Sequence, residues 1–557
     1  MRNHAVVPIR ILLFILAFGL PCAALAMPTF SEAWAIGSGG EQAIDVAADA
    51  MGNIYYTGIF SGTMDFDPGS GVTEMTAVGA NDLFLLKFSG DGTFLWARQR
   101  GSSGTEYARA LALDGAGNVF VAGYTNAAFD GETYLGGLDG FVCRFDEDGT
   151  WYWTRFVGGS GTDRFEGAAA DGSGGVFASG FSDSAAVGGQ ATNGDFDVLA
   201  ARVDFSGTAT WARLFGTAAG DFAYRASLDA GGGALLAGTT YGSFGGANLG
   251  GLDAFYLRIT PAGVLDWTRQ RGGAGDDYGY DLQEASDGDV VVAGFSDAAF
   301  DGQPHGGDWD AVLMRFDGTG SWLWTRFLGT SGFDRFYALA LDGSDNAYPA
   351  GVAGGALDAQ DYAGMQDILT CRYDTAGNRG WLRLQGGAED DIPFGIAMGG
   401  TSTLHTTGVF VPTADFDPDG TMELDAGESF RSSFFIALPA AADGGVAGGK
   451  LTRYDKAGSD VNVMWDGGAC GGTNAAIFYG DIGDFSGYQG SALCTAGNAG
   501  TVTFAPPAGD IWFNLLWTED GAAGHPGYAT AGARTWTASG FCTITTDEIV
   551  PATCATP

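Results

Sequence analysis

The feature that most constrains this chain is a unit repeated along three quarters of its length. One copy runs from Trp96 to Thr125 and on through Leu138 to Gly149, and the pattern restarts at Trp153. Trp34, Trp96, Trp153, Trp211, Trp267, Trp324 and Trp381 share one context, mostly Trp-x-Arg, and recur roughly every 57 residues. Each unit holds four short runs of β-branched, aromatic and small residues between Gly, Asp and Asn clusters. That period with four strands per unit reads as a β-propeller blade. Asp114-Gly-Ala-Gly-Asn118 and Asp146-Glu-Asp-Gly149 supply the turn chemistry, because Gly reaches positive φ and Asp caps neighbouring N–H groups.

The order of the strands implies how the ring closes. The first Trp strand, around Trp34, precedes any complete unit. The last third strand, near Phe434 to Leu438, has no Trp strand after it. The expected fold is therefore all-β: a seven-bladed propeller over residues 28–440, completed by the N-terminal strand so that no raw sheet edge remains. At this point the chain resembles the SBBP-type β-propeller repeat of exported bacterial proteins and, more loosely, the NHL repeat, through the D-x-x-G-N-V-F-V-A-G segment at Asp114 and its copies. The resemblance implies fold and leaves function open.

Residues 1–26 read as a secretory signal peptide. Arg2 and Arg10 precede the apolar run Ile11 to Leu20, and Ala23 to Ala26 offer a small-residue cleavage site. The expected location is secreted, periplasmic or at the cell surface, with no transmembrane segment. The formal charge is −40, and −42 once Arg2 and Arg10 leave with the leader. That surplus argues against nucleic acid as a partner, since both surfaces would be negative.

Arg98 and Glu106, and Arg155 and Asp163, stand eight residues apart, as do their counterparts in other units. This spacing predicts structural ion pairs that tie an outer strand to the loop entering the next inner strand. Asp415-Phe-Asp417-Pro-Asp419-Gly420-Thr-Met-Glu423 places carboxylates at positions 1, 3, 5 and 9 with Gly at 6, the pattern of a short calcium hairpin. Calcium is the one cofactor the sequence suggests, at Asp415, Asp417, Asp419 and Glu423. Asp65-Phe-Asp67-Pro68-Gly69 is a shorter relative that lacks the third carboxylate.

Little material for catalysis is visible. His305, His405 and His525 lie apart, without a second histidine at ligand spacing. The long loops carry Phe129, Tyr134, Phe244, Phe300, Trp309 and Tyr362, which either form a recognition surface or pack down to order the loops. Cys143 and Cys371 occupy one strand position in different units and read as buried small hydrophobes.

Cys470, Cys494, Cys542 and Cys554 fall after a Gly/Ala-rich linker at 441–449. An even set in an exported module suggests two disulfides, with Cys470–Cys494 and Cys542–Cys554 favoured among three pairings. Residues 450–557 alternate as strands and resemble fibronectin type III-like β-sandwich modules. The leading functional expectation is non-catalytic extracellular binding, adhesion or assembly toward a protein or glycan. The rival is a glycan hydrolase or lyase using loop-face carboxylates.

Overall fold

The computed structural model describes residues 41–411, apart from 69, 70, 91, 359, 361, 363, 401 and 402, and beyond them the backbone of strands near both ends. The chain divides into two compact units, one spanning Met27–Ala441 and the other Ala442–Pro557 with the first 26 residues. The larger unit is an all-β propeller.

Six blades are made wholly of consecutive strands. The first comprises Glu41–Ala48, Ile54–Phe60, Asp82–Phe88 and Phe94–Arg100, each antiparallel to the next. The following inner strands are Glu106–Leu113, Asp163–Ala170, Asp221–Leu228, Asp277–Glu284 and Arg335–Leu341. Six is one fewer than the sequence predicts. The strands expected for the remaining blade form a sheet drawn from both ends of this unit, in the order Glu32–Ile36, Ser432–Pro439, Thr403–Phe410, Ile392–Gly399. Trp34 pairs with Phe435 in it.

Burial follows position in the blade. Second strands such as Asn118–Thr125 are buried along their whole length, and third strands along most of theirs, which is why they read as continuous apolar runs rather than alternating ones. The core lies between blades: Tyr55, Leu83 and Leu85 of the first pack with Ala108, Val121 and Phe141 of the second. Each such Leu or Phe contributes about 1.5–3 kcal/mol by leaving water.

Neither Arg98–Glu106 nor Arg155–Asp163 pairs as predicted. Arg98 instead donates to the carbonyls of Gly149 at 3.0 Å and Asp148 at 2.8 Å, in the outer turn of the next blade. Arg155 donates to Gly207 O at 2.6 Å and pairs with Glu132 at 3.1 Å. Arg269 and Arg326 repeat the contact on Gly320 and Gly377. The signature Trp joins in: Trp153, Trp211 and Trp324 donate their indole N–H to Phe205, Pro261 and Thr375, each in the next blade's turn. Trp-x-Arg is thus a latch from one blade's outer strand to the next blade's outer hairpin. Glu106 and Asp163 face the other way. Glu106 accepts from Ser102 N at 2.8 Å and Thr125 Oγ1 at 2.9 Å; Asp163 accepts from Gly159 N at 2.7 Å and the Ser182 hydroxyl.

Ion pairs do occur, elsewhere in the repeat. Arg202 and Arg258, on third strands, bind Asp171 and Asp229 at the turn between the first two strands. Outer turns are capped by a carboxylate as expected. At Asp204, hydrogen bonds from the Ser206 hydroxyl and Thr208 N–H hold the carboxyl below its ordinary range.

Every complete inner strand carries a bulge, for example between Ala108 and Ala110. A glycine of the second strand stands opposite: Gly58, Gly123, Gly180, Gly238, Gly294 and Gly351. A Cβ on any of them would overlap the bulged strand's backbone carbonyl, such as Tyr107 O at Gly123. The glycine of V-A-G is therefore a steric allowance for the bulge.

We predict that Gly123→Ala destabilises the propeller by about 3 kcal/mol, by overpacking against backbone that cannot yield. Gly115→Ala, at φ +71° with open space around the new methyl, should cost only about 1 kcal/mol of backbone strain. Chemical denaturation of both variants measures the difference.

A charged and aromatic axial channel as the candidate functional site

The bulges decide what enters the axis. At each, two successive side chains stand where regular pairing would present one. Those residues are Ile44-Asp45, Arg109-Ala110, Glu166-Gly167, Tyr224-Arg225, Tyr280-Asp281 and Tyr337-Ala338 in blade order. Here the six blades differ most from one another.

Arg225 spans the axis. Its guanidinium donates to Arg109 O at 2.9 Å in the second blade, to Phe394 O at 3.2 Å and pairs with Asp45 at 3.3 Å in the first. Asp45 also accepts from Val46 N at 3.0 Å and from Leu111 N of the next blade at 2.8 Å. Asp281 repeats this arrangement, accepting from Leu282 N and from Leu339 N of its own next blade, both at 2.7 Å. Burial pushes both carboxyls up against the pull of Arg225, Asp281 to about 6.

On one side of this layer the channel is lined by the ends of the inner strands. Ala47, Leu111, Ala169, Leu228, Leu341 and Met398 border a cavity of about 450 Å³ that Asp45, Arg225 and Asp281 also line. Toward the strand starts the lining is charged and aromatic. Glu166 is clamped between Arg109 at 2.6 Å and Arg164 at 2.7 Å. Tyr280 stacks on Tyr224 with ring centroids 5.0 Å apart and meets Tyr337 edge-on at 5.3 Å.

Two arginines top this end. Arg164 lies over Tyr124 at 4.1 Å and Phe181 at 5.1 Å. Arg335 lies over Phe295 at 4.9 Å, Trp309 at 5.2 Å and Phe333 at 5.5 Å. The Nε of each is buried and has no hydrogen-bond partner. Tyr278 stacks on Phe295 beside Trp309, while Phe333 and Tyr241 stand exposed.

The buried Asp that opens each third strand shapes the surrounding loops. Asp82, Asp139 and Asp253 accept from the N–H four residues earlier, and the residues so held, Val78, Leu135 and Leu249, turn their side chains to solvent.

Of the loop aromatics the sequence singles out, Phe129, Phe244 and Phe300 pack down, each against a core Phe at 5.0–5.3 Å. Trp309 alone joins the channel cluster. Tyr134 and Tyr362 donate to their own loop carbonyls, both at 2.6 Å. His305 contacts Ser296 O at 3.2 Å, and His405 is buried in a strand, where burial pushes its imidazole down to about 4. Cys143 and Cys371 are buried free thiols, as expected. The backbone sets Asp415 opposite Glu423 in a hairpin. Their side chains, with Asp417 and Asp419, lie outside the described residues. So do the four C-terminal cysteines and the signal segment. In the shorter relative, Asp65 caps its own loop by accepting from Asp67 N and Thr73 N. Among the described residues no group of three or more metal-ligating side chains converges, and no helix is long and apolar enough to cross a membrane.

Residues 95–130 match the SBBP family, described as a β-propeller repeat. The chain is similar to the regulatory protein FlaEY of Caulobacter vibrioides, 29% identical over 175 residues, which is 30% of this chain and 18% of that protein. It thus spans under a fifth of that relative. Among solved structures, puromycin hydrolase matches at 15% identity and TM-score 0.40, covering 77% of this chain and 59% of that one. The Pan2 WD40 domain of Neurospora crassa matches at 11% identity and TM-score 0.38, covering 72% and 89%.

Arg225→Ala should cost about 3–5 kcal/mol, since it strands the buried Asp45 carboxylate beside Asp281. Asp45→Asn in the same chain should recover part of that loss. A double-mutant cycle by thermal denaturation reads the coupling.

Proposed function

We propose that the protein is a non-catalytic exported propeller whose loop face binds an extracellular ligand, a protein or glycan, at the mouth of the axial channel. The observation that carries this reading is Arg335, laid on the faces of Phe295, Trp309 and the exposed Phe333. Aromatic faces take flat or sugar-like groups, and guanidinium groups take carboxylate or sulfate. The ligand is therefore anionic, although the chain as a whole is strongly acidic. Bulk charge acts over about a Debye length of 8–10 Å and is screened, whereas a half-buried guanidinium acts at contact.

The channel carboxylates favour binding over hydrolysis. Glu166 is held between two arginines, and Asp45 by Arg225 and backbone N–H groups, so both brace the channel wall. We further propose that the sheet shared by the two ends of the larger unit serves as a seventh blade, that Asp415–Glu423 takes calcium, and that residues 450–557 form a disulfide-bonded fibronectin type III-like spacer.

A glycan array with acidic and neutral members, run beside a reducing-end assay, tests the reading. Acidic glycans should be retained without cleavage, and Arg335→Ala or Arg164→Ala should weaken retention at least tenfold. Retention of neutral glycans alone, or release of new reducing ends, would overturn it.

A further inference from the structure

Buried carboxylates meet in pairs where blades join. The third-strand Asp of one blade faces the inner-strand carboxylate of the next: Asp139 with Asp163, Asp197 with Asp221, Asp253 with Asp277, and Asp310 with Asp334. All eight side chains are at most 2% exposed. In each pair one oxygen of the third-strand Asp, Oδ1, is buried without a hydrogen-bond partner. At two of the four junctions a glycine sits at the point of approach. A methyl on Gly272 would overlap both Asp253 Oδ1 and Asp277 Oδ2, and one on Gly216 both Asp197 Oδ1 and Asp221 Oδ2.

Two adjacent carboxylates without a cation cannot both stay ionised cheaply in a buried site. The groups facing Asp277 supply none. Asp253 and Asp297 are acidic, and Gln270, which donates to Asp253 at 2.8 Å, is neutral. The Asp277 carboxylate also accepts from Gly273 N at 2.6 Å. The first junction is the contrast. There Asp82 and Glu106 have every oxygen hydrogen-bonded, to Val78, Gly79 and Gln99 on one side and Ser102 and Thr125 on the other.

We propose that each of these four junctions binds one proton from solvent, shared between its two carboxyl groups, so that the ring is held tighter as pH falls. One carboxyl O–H then donates to the other carboxylate, and the orphaned oxygen gains its partner. Burial first, opposed by hydrogen bonds and reinforced by the facing carboxylate, pushes Asp277 up to about 7 and Asp139 up to about 6. The sign follows. A carboxyl whose folded value lies above its unfolded one, about 3.9, contributes stability that is fully present below pH ~4 and is lost as pH rises through the folded value.

The test is the melting temperature of the full chain from about pH 4 to about pH 9, beside Asp277→Asn and a surface control, Asp266→Asn. The native protein and the control should lose stability as pH passes about 7. Asp277→Asn, neutral throughout, should lose less and should overtake the native protein at alkaline pH. Parallel curves for all three would overturn the proposal. Should Asp277→Asn not fold, infrared difference spectra of the native protein decide. A protonated-carboxyl C=O band present near pH 6, gone near pH 9 and weaker in Asp139→Asn supports it, and a band that Asp139→Asn leaves unchanged overturns it.

Discussion

The contact on which the site depends is the steric one between a second-strand glycine and the bulged inner strand beside it. Gly123 and its counterparts let the inner strand kink, and the kink turns an extra side chain toward the axis. A propeller with unbulged inner strands would present one residue per turn of the pleat to its channel. This one presents two, and uses them for Asp45, Arg109, Glu166, Arg225 and Asp281. The repeated part of the sequence thus builds the means, and the unrepeated part supplies the chemistry.

Two layers of polar interaction then share the work. At the rim, Trp-x-Arg latches one blade to the turn of the next through neutral carbonyl acceptors. Near the axis, Arg225 reaches several strands at once, so inner strands far apart in sequence are tied through a single guanidinium. The rim contacts are alike in most blades and local. The axial contacts are unique and long-range. Loss of a rim contact weakens one junction, whereas loss of Arg225 disturbs the whole channel.

The architecture was legible because Trp, Gly and Asp recur at one period, and each recurs for a backbone reason. The failure at Arg98–Glu106 and Arg155–Asp163 has the same origin. In a strict repeat any two repeated positions keep constant spacing, so a spacing of eight carries no information about contact. Arg98 points outward to Gly149 and Glu106 turns back to Ser102. The channel residues escaped notice because they occupy positions where the blades disagree. The available signal was that disagreement: the third to fifth residues of each inner strand, counted from its first carboxylate, hold Arg, Glu, Tyr or Asp amid small apolar neighbours. The loop aromatics could not be sorted from sequence either. Phe129 and Trp309 occupy comparable loops, and only packing distinguishes the buried staple from the channel wall.

The central claim is that repetition carries the scaffold and the channel mouth carries recognition. Hydrogen exchange by mass spectrometry, with and without an acidic oligosaccharide, tests it most directly. The account predicts added protection in the segments bearing Tyr124, Arg164, Tyr278 and Arg335, with the Trp-x-Arg strands unchanged. Protection confined to the Trp-x-Arg rim, with the mouth unaffected, would contradict it.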